Sequence, residues 1–478
     1  MFTSNSECSS NEIKPCEGLP QALIAQTEWL KTLGSMRVLE VIHGYPPLFN
    51  AGSEVYTQTV ARGLRTAGHH VAVFTREEDP FRESFVVRLT ADGAAISVYL
   101  VNHPQSRDRF EHEELERVFF HVLEKERPDV VHIGHLNHLS LGIPEVAKTF
   151  GCKVVLTLHD YWFACPRGQF LQVGPLASES WSSCEGQANR RCAERCYSRS
   201  WAGTPETTLD MDYWTGWAYR RMAEVHHQLQ FVDYILAPSR YLGERVAKEL
   251  NLRPGQIHHE PYGLDRGRLS GRSRVREREL VLGFMGRITP AKGIHQLLEA
   301  FGCTTGEARL RIWGTLGEPE RGPLLRLVEG LPPDRARRIE WMGGYQNEEI
   351  VSRVLNHLDV LVVPSIWEEN SPLVIHEAQQ AGIPVITSSM GGMGELVRHG
   401  VNGWTYAHRD VRALTERLQD AIKDPERLVA LGRRGYMGSP DGQVLSIEEH
   451  VSRLEAYFRG GVPIASPSGS SASQGVPP

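Results

Sequence analysis

The sequence predicts an α/β fold of two halves, each built on a parallel sheet, facing one another across a cleft. Three observations predict it. MRVLEVIHGY at residue 36 reads as a buried strand, and EVYTQTVARGLRTAG places Val55, Thr59, Val60 and Leu64 at helical spacing before a glycine. HHVAVFT follows as a second apolar strand, which completes a strand–helix–strand unit of the kind buried on both faces. The same alternation resumes past residue 280, and 478 residues allow two or three cores at about 150 residues each.

The elements can be justified in order. Residues 1–35 are polar apart from a short ALIA patch, and they are predicted to be an extension outside the fold. The first domain spans 36–262. Within it FFHVLEKERPDVVHI is a helix stopped by a proline and then a strand, and CKVVLTLHD is a strand ending in His159 and Asp160. From 161 to 213 the pattern breaks into a loop-rich insertion holding four of the eight cysteines. Helical spacing returns at WAYRRMAEVHHQL, and FVDYILAPS closes the domain as a strand. Residues 263–279 hold six arginines and few apolar side chains, the composition of an exposed linker.

The second domain, 280–460, has strands in ELVLGFMG, ARLRIWG, DVLVVPS and IPVITS and helices in IHQLLEAFG and PLVIHEAQQAG. The tail 465–478, ASPSGSSASQGVPP, has no apolar burial to offset ordering and is predicted to be disordered.

Composition narrows the partners. With 52 basic against 58 acidic residues the net charge is −6, so nucleic acid is not expected as a substrate. Eight cysteines are too sparse for a disulfide-built secreted scaffold. Glu7 and Glu12 stand where a signal peptide needs basic residues, which predicts a cytoplasmic protein. No run reaches the roughly 18 apolar residues of a membrane span, leaving peripheral contact at the inner membrane face open.

The segment from Pro364 to Val397 carries the sharpest signal. Ser371 suits a helix N-cap and Pro372 the first helical position. The free N–H groups of that helix make an anion site suited to a diphosphate. Glu369 lies just before it and Glu377 on its second turn, so one carboxylate can reach a sugar and the other a ribose diol. Upstream, Arg287 directly follows a strand and Lys292 stands at a helix entrance, two cations for phosphate oxygens. Alone, each of these is an ordinary surface feature; together they describe a nucleotide-diphosphate cradle.

These residues resemble a retaining glycosyltransferase of family 4, with the GT-B fold of two facing Rossmann-like domains. The resemblance covers roughly residues 36–460. It is carried by Glu369 with Glu377, GRITPAKG from Gly286, AGSE from Ala51, TLHD at 157–160 and GGMGE at 391–395. It implies transfer of a sugar from a nucleotide-diphosphate donor to a glycan or polyprenyl-linked acceptor with retention, of the type that builds bacterial polysaccharides or glycoconjugates. Arg287 and Lys292 would bind the diphosphate, Glu377 the ribose, Glu369 the transferred sugar, and His159 the donor sugar. Backbone amides near Ser371, Pro372 and Leu373, with Gly52 from the first half, would complete the phosphate site. No catalytic metal is expected. Ala51 stands where the family usually has a glycine. Sugar-phosphate synthesis or phosphorolysis on the same fold, or a non-catalytic nucleotide-sugar-binding partner of an assembly complex, are the alternative readings.

Within the insertion, Cys165, Cys184, Cys192 and Cys196 include one C-x3-C spacing, and four thiolates on an irregular loop could form a structural zinc site. Free thiols, an iron–sulfur cluster and disulfides are the other readings. A similar cysteine-bearing insertion occurs among family members that build bacterial surface polysaccharides. The Asp210-Met211-Asp212 triplet is expected to be a coincidence of composition.

Overall fold

The computed structural model describes residues 34–93, 96–103, 110–172, 181–197, 207–274, 277 and 279–463. The predicted disordered tail and nearly all of the predicted extension lie outside them. The first half is an eight-stranded sheet in the order β10-β9-β6-β5-β1-β2-β4-β3. Its strands are β1 (Arg37–Val41), β2 (His70–Glu77), β3 (Val87–Asp92), β4 (Ile96–Asn102), β5 (Val130–Ile133), β6 (Lys153–Thr157), β9 (Tyr234–Ala237) and β10 (Ile257–His259), with a short pair, β7 (Leu171–Gln172) and β8 (Ser182–Ser183), in the insertion. All pairs in the large sheet are parallel except β3 with β4. The β3–β4 hairpin was not evident from periodicity. β1 is fully buried beyond its first residue, as a strand covered on both faces must be.

The second half is a six-stranded, all-parallel sheet, β13-β12-β11-β14-β15-β16. It comprises β11 (Leu280–Met285), β12 (Ala308–Trp313), β13 (Ile339–Gly343), β14 (Val360–Val363), β15 (Val385–Ser388) and β16 (Gly403–Tyr406). This is the doubly wound order, and its switch point lies between β11 and β14, where such sheets bind ligands. In the first sheet the corresponding reversal lies between β1 and β5.

Three expectations are corrected. The last helix, Ile447–Phe458, falls in sequence within the second domain, yet Ile447, Val451, Leu454, Tyr457 and Phe458 are in the core of the first half. An apolar helix face does not encode which sheet it covers. Gly63 permits the approach, since a Cβ there would stand 2.9 Å from Ile447 and Val451.

The arginine-rich segment is also not a free linker. Arg272 donates to the carbonyls of Leu355 and Leu358, and Arg274 is paired with Asp359 at 2.6 Å. These arginines fasten the segment to the second half rather than facing water.

The helix Thr208–Gln228 begins inside the stretch predicted to be irregular, and Asp210 forms its capping box with Thr207. Asp210 of the acidic triplet thus has a structural role.

Candidate active site

In the second half, the loops after β11 and β14 meet. Lys292 Nζ donates to Glu369 Oε1 at 2.6 Å, and Ser365 Oγ donates to the same oxygen at 2.7 Å. The Lys292 ammonium also lies 5.5 Å from the Trp367 ring centroid, a cation–π contact. Glu369 is buried while Lys292 is one-third exposed, at 32%. Arg287 is exposed and has no hydrogen bond or ion pair among the described residues, so its guanidinium is available to an anion.

The helix Leu373–Gln380 starts one residue later than predicted. Pro372 occupies the N-cap, with φ −59° and ψ 118°, and no side chain caps the helix. Ser371 is not the cap, because its hydroxyl is hydrogen-bonded to His376 Nε2 at 2.8 Å. Burial pushes His376 down to about 4, leaving a neutral imidazole beneath the helix start. No side chain caps the first backbone N–H groups of this helix, the feature of a helix start that suits an anion.

Across the cleft, the helix Gly52–Thr66 also starts without a side-chain cap. A Cβ on Gly52 would meet only Leu373 Cδ1, at 3.9 Å; the two helix starts therefore lie side by side. Ala51 is extended at φ −110°, a conformation any residue adopts, so the departure from glycine there carries no backbone cost.

His159 stands two residues beyond β6 and is buried. Its Nδ1 is hydrogen-bonded to Tyr262 Oη at 2.5 Å, while Nε2 has no partner. Burial, reinforced by His135 and His132, holds its pKa well below the usual histidine value, so it is a neutral ring. Asn370 donates to the His159 carbonyl from the opposite half, which brings His159 to the turn that carries Glu369. Nearby, His43 lies 3.4 Å from Glu54 and His135 lies 3.3 Å from Asp160. Burial works to raise the Glu54 carboxyl, but the His43 hydrogen bond and charge outweigh it and hold it down at about 2.

Several contributors escaped sequence reasoning. Glu377 is paired with Arg268 at 2.6 Å, and Arg268 belongs to the segment predicted to be an exposed linker. Asn370 and Tyr262 carried no periodic or charge signal. GGMGE, visible only as a motif, has a spatial role: the N–H of Gly392 donates to the Glu369 carbonyl at 2.7 Å. Glu395 accepts from the N–H groups of Arg240 and Tyr241 at 3.0 and 2.5 Å, capping a first-half helix.

In the structure the insertion's four cysteines are not arranged as a metal site. Among the described residues no three His, Cys, Asp or Glu are grouped so as to hold a metal ion, and Cys165, Cys184, Cys192 and Cys196 are free thiols. Burial pushes the Cys192 thiol up to about 11 and the Cys196 thiol up to about 12. Cys192 donates to Gln187 Oε1 at 2.7 Å. Cys192, Ala193 and Cys196 pack in an apolar cluster with Trp214, Trp217 and Ala218.

Among the described residues no helix is long and apolar enough to cross a membrane. Two family models match in tandem: Glycosyltransferase Family 4 over residues 50–268 and Glycosyl transferases group 1 over residues 265–437. The chain is 29% identical over 319 residues to a GDP-mannose-dependent alpha-(1-6)-phosphatidylinositol monomannoside mannosyltransferase of Mycolicibacterium smegmatis, covering 62% of this chain and 76% of that one. It is 31% identical over 277 residues to a D-inositol 3-phosphate glycosyltransferase of Rhodococcus jostii, covering 54% and 58%. It spans only 44% and 33% of the length of matched glycosyltransferases from Salmonella typhimurium and Methanocaldococcus jannaschii.

Among solved structures, sucrose-phosphate synthase of Thermosynechococcus elongatus superposes with a TM-score of 0.66 at 18% identity, over 88% of this chain and 98% of that one. Anabaena HepE in complex with UDP-glucose gives 0.59 at 16%, over 88% and 100%. These two likenesses speak to the fold. Fold, motif order and the tandem family matches together place the chain in glycosyltransferase family 4, with the GT-B architecture.

Proposed function

We propose that the chain transfers a sugar, with retention of configuration, from a nucleotide-diphosphate donor to a glycan or polyprenyl-linked acceptor in polysaccharide or glycoconjugate synthesis. One observation carries the reading: at the second sheet's switch point the loop after β11 supplies Arg287, unpaired among the described residues, and Lys292, held by buried Glu369, while the loop after β14 supplies the uncapped helix start at Leu373, with the helix start at Gly52 beside it. This arrangement suits two phosphates and a developing charge. Arg287, Lys292 and the amides near Leu373 would stabilise the leaving diphosphate, charge being met by fixed donors rather than by solvent. Glu369 would hold the transferred sugar while fixing the Lys292 ammonium. Neutral His159 would offer Nε2 to a donor-sugar hydroxyl. The leaving phosphate itself would take the acceptor's proton, so no protein nucleophile is needed. The enzyme would work at the cytoplasmic membrane face when its acceptor is lipid-linked.

The test is a thermal-shift panel of UDP-, GDP- and ADP-sugars, followed by proton NMR of the product from the donor that binds. A ligand at 100 times its Kd should stabilise the protein by about 2.7 kcal/mol. Lack of a shift with every donor, or a product of inverted configuration, would contradict the proposal.

A further inference from the structure

We infer that Arg268, in the segment joining the two halves, is a positioning residue for the nucleotide ribose and acts through Glu377. This rests on the proposed ribose role of Glu377. Arg268 Nη2 donates to Glu377 Oε1 at 2.6 Å, while Nη1 donates to the Asn347 carbonyl at 3.2 Å. Their side chains are 16% and 8% exposed, so the pair is largely withdrawn from water. Glu377 Oε2 has no partner among the described residues.

A carboxylate that receives a vicinal diol must present its oxygens in one orientation, and a glutamate side chain has three torsions to fix. The guanidinium does this by engaging Oε1 and leaving Oε2 for the diol. Its planar fork serves two acceptors in fixed directions, which a lysine ammonium does not reproduce. The second acceptor matters as well. Asn347 Nδ2 donates to Asn50 Oδ1 at 3.1 Å, and Asn50 lies two residues before the first-half helix at Gly52. Arg268 therefore ties the ribose carboxylate to a contact that spans the cleft, and the joining segment becomes part of the donor site.

The experiment is calorimetry with UDP, GDP and ADP and their 2′,3′-dideoxy counterparts, using the pair whose ribo form binds most tightly. Wild type should favour the ribo form by on the order of 10- to 100-fold, the range for hydrogen bonds to a charged group. R268Q should bring that ratio to within about threefold while leaving affinity for the dideoxy form unchanged, and R268K should restore it only in part. General damage to the fold would weaken both forms alike and leave the ratio intact. E377Q is the control and should also collapse the ratio. If E377Q keeps the wild-type ratio, the ribose reading of Glu377 is wrong and this inference falls with it. If E377Q collapses the ratio and R268Q preserves it, the ribose reading stands and the role of Arg268 is overturned. Should R268Q not fold, R268K carries the same comparison, and a wild-type ratio in R268K overturns the inference. Absence of binding by all three diphosphates to wild type removes the nucleotide reading and the inference together.

Discussion

Replacing Lys292 with alanine should injure stability and catalysis by separable routes. The Glu369 side chain is 3% exposed and would keep only the Ser365 hydroxyl at 2.7 Å. Breaking a buried ion pair by removing one partner typically costs about 3–5 kcal/mol. Lys292 is 32% exposed, so water already screens part of the pair, and about 2–3 kcal/mol is the expected loss. For a domain of this size each kcal/mol moves Tm by about 2–4 °C, which gives a fall of about 4–12 °C.

The double variant K292A/E369Q removes the stranded charge and should recover most of that fall. Catalysis should stay reduced by on the order of 10²–10³ in both, the usual loss for one transition-state donor. Scanning calorimetry and donor hydrolysis on the same preparations check both arms. K292A melting with wild type would refute the compensating pair; K292A melting low but turning over normally would refute the donor role.

Other outcomes follow from the same geometry. R287A should melt as wild type, because the side chain is exposed and unpaired among the described residues, yet lose on the order of 10²–10³ in steady-state donor cleavage. G392A should lower Tm and abolish donor binding, since its Cβ would stand 1.3 Å from the Asn370 carbonyl oxygen, whereas G52A should leave the melt unchanged. Stability should decline as pH falls below about 6.5. Burial lowers His159 well below that value and His103, His259 and His376 to about 4. Between the folded and unfolded values the unfolded chain binds more protons, so stability rises with pH by up to about 1.4 kcal/mol per unit for each such histidine. Urea titrations at pH 7 and pH 5 giving equal stability would contradict this.

What the sequence made legible was what one dimension can encode. Apolar runs bounded by helical spacing identified the two sheets, because buried parallel strands need no partner-specific signal. Lys292 and Glu369, 77 residues apart, could be named as candidates but not as a pair. The arginine-rich segment misled for the opposite reason. A charge run reads as solvent-facing, yet the acceptors for Arg268, Arg272 and Arg274 lie 79–109 residues downstream. In the insertion the cysteines are the visible signal, while the tryptophans packed against two of them, Trp214 and Trp217, sit on the following helix. The one-residue shift at Pro372 arose because the Ser371 hydroxyl found His376 five positions on, a competitor for the capping role.

The site depends on backbone approach more than on any one side chain, and this links the ordering of Glu369 to the contact between the halves. A Cβ on Gly293, at φ +70°, would stand 1.9 Å from the Pro364 carbonyl oxygen. One on Gly391, at φ +64°, would stand 2.5 Å from the Glu369 carbonyl oxygen. Only residues without a side chain let the loops after β11, β14 and β15 close on one another. That closure sets Lys292 against Glu369. It also leaves Asn370 reaching the His159 carbonyl and Glu395 capping the helix Arg240–Glu249 of the first half. The turn that orders Glu369 is therefore the turn that holds the halves together, so a change in one must be felt in the other.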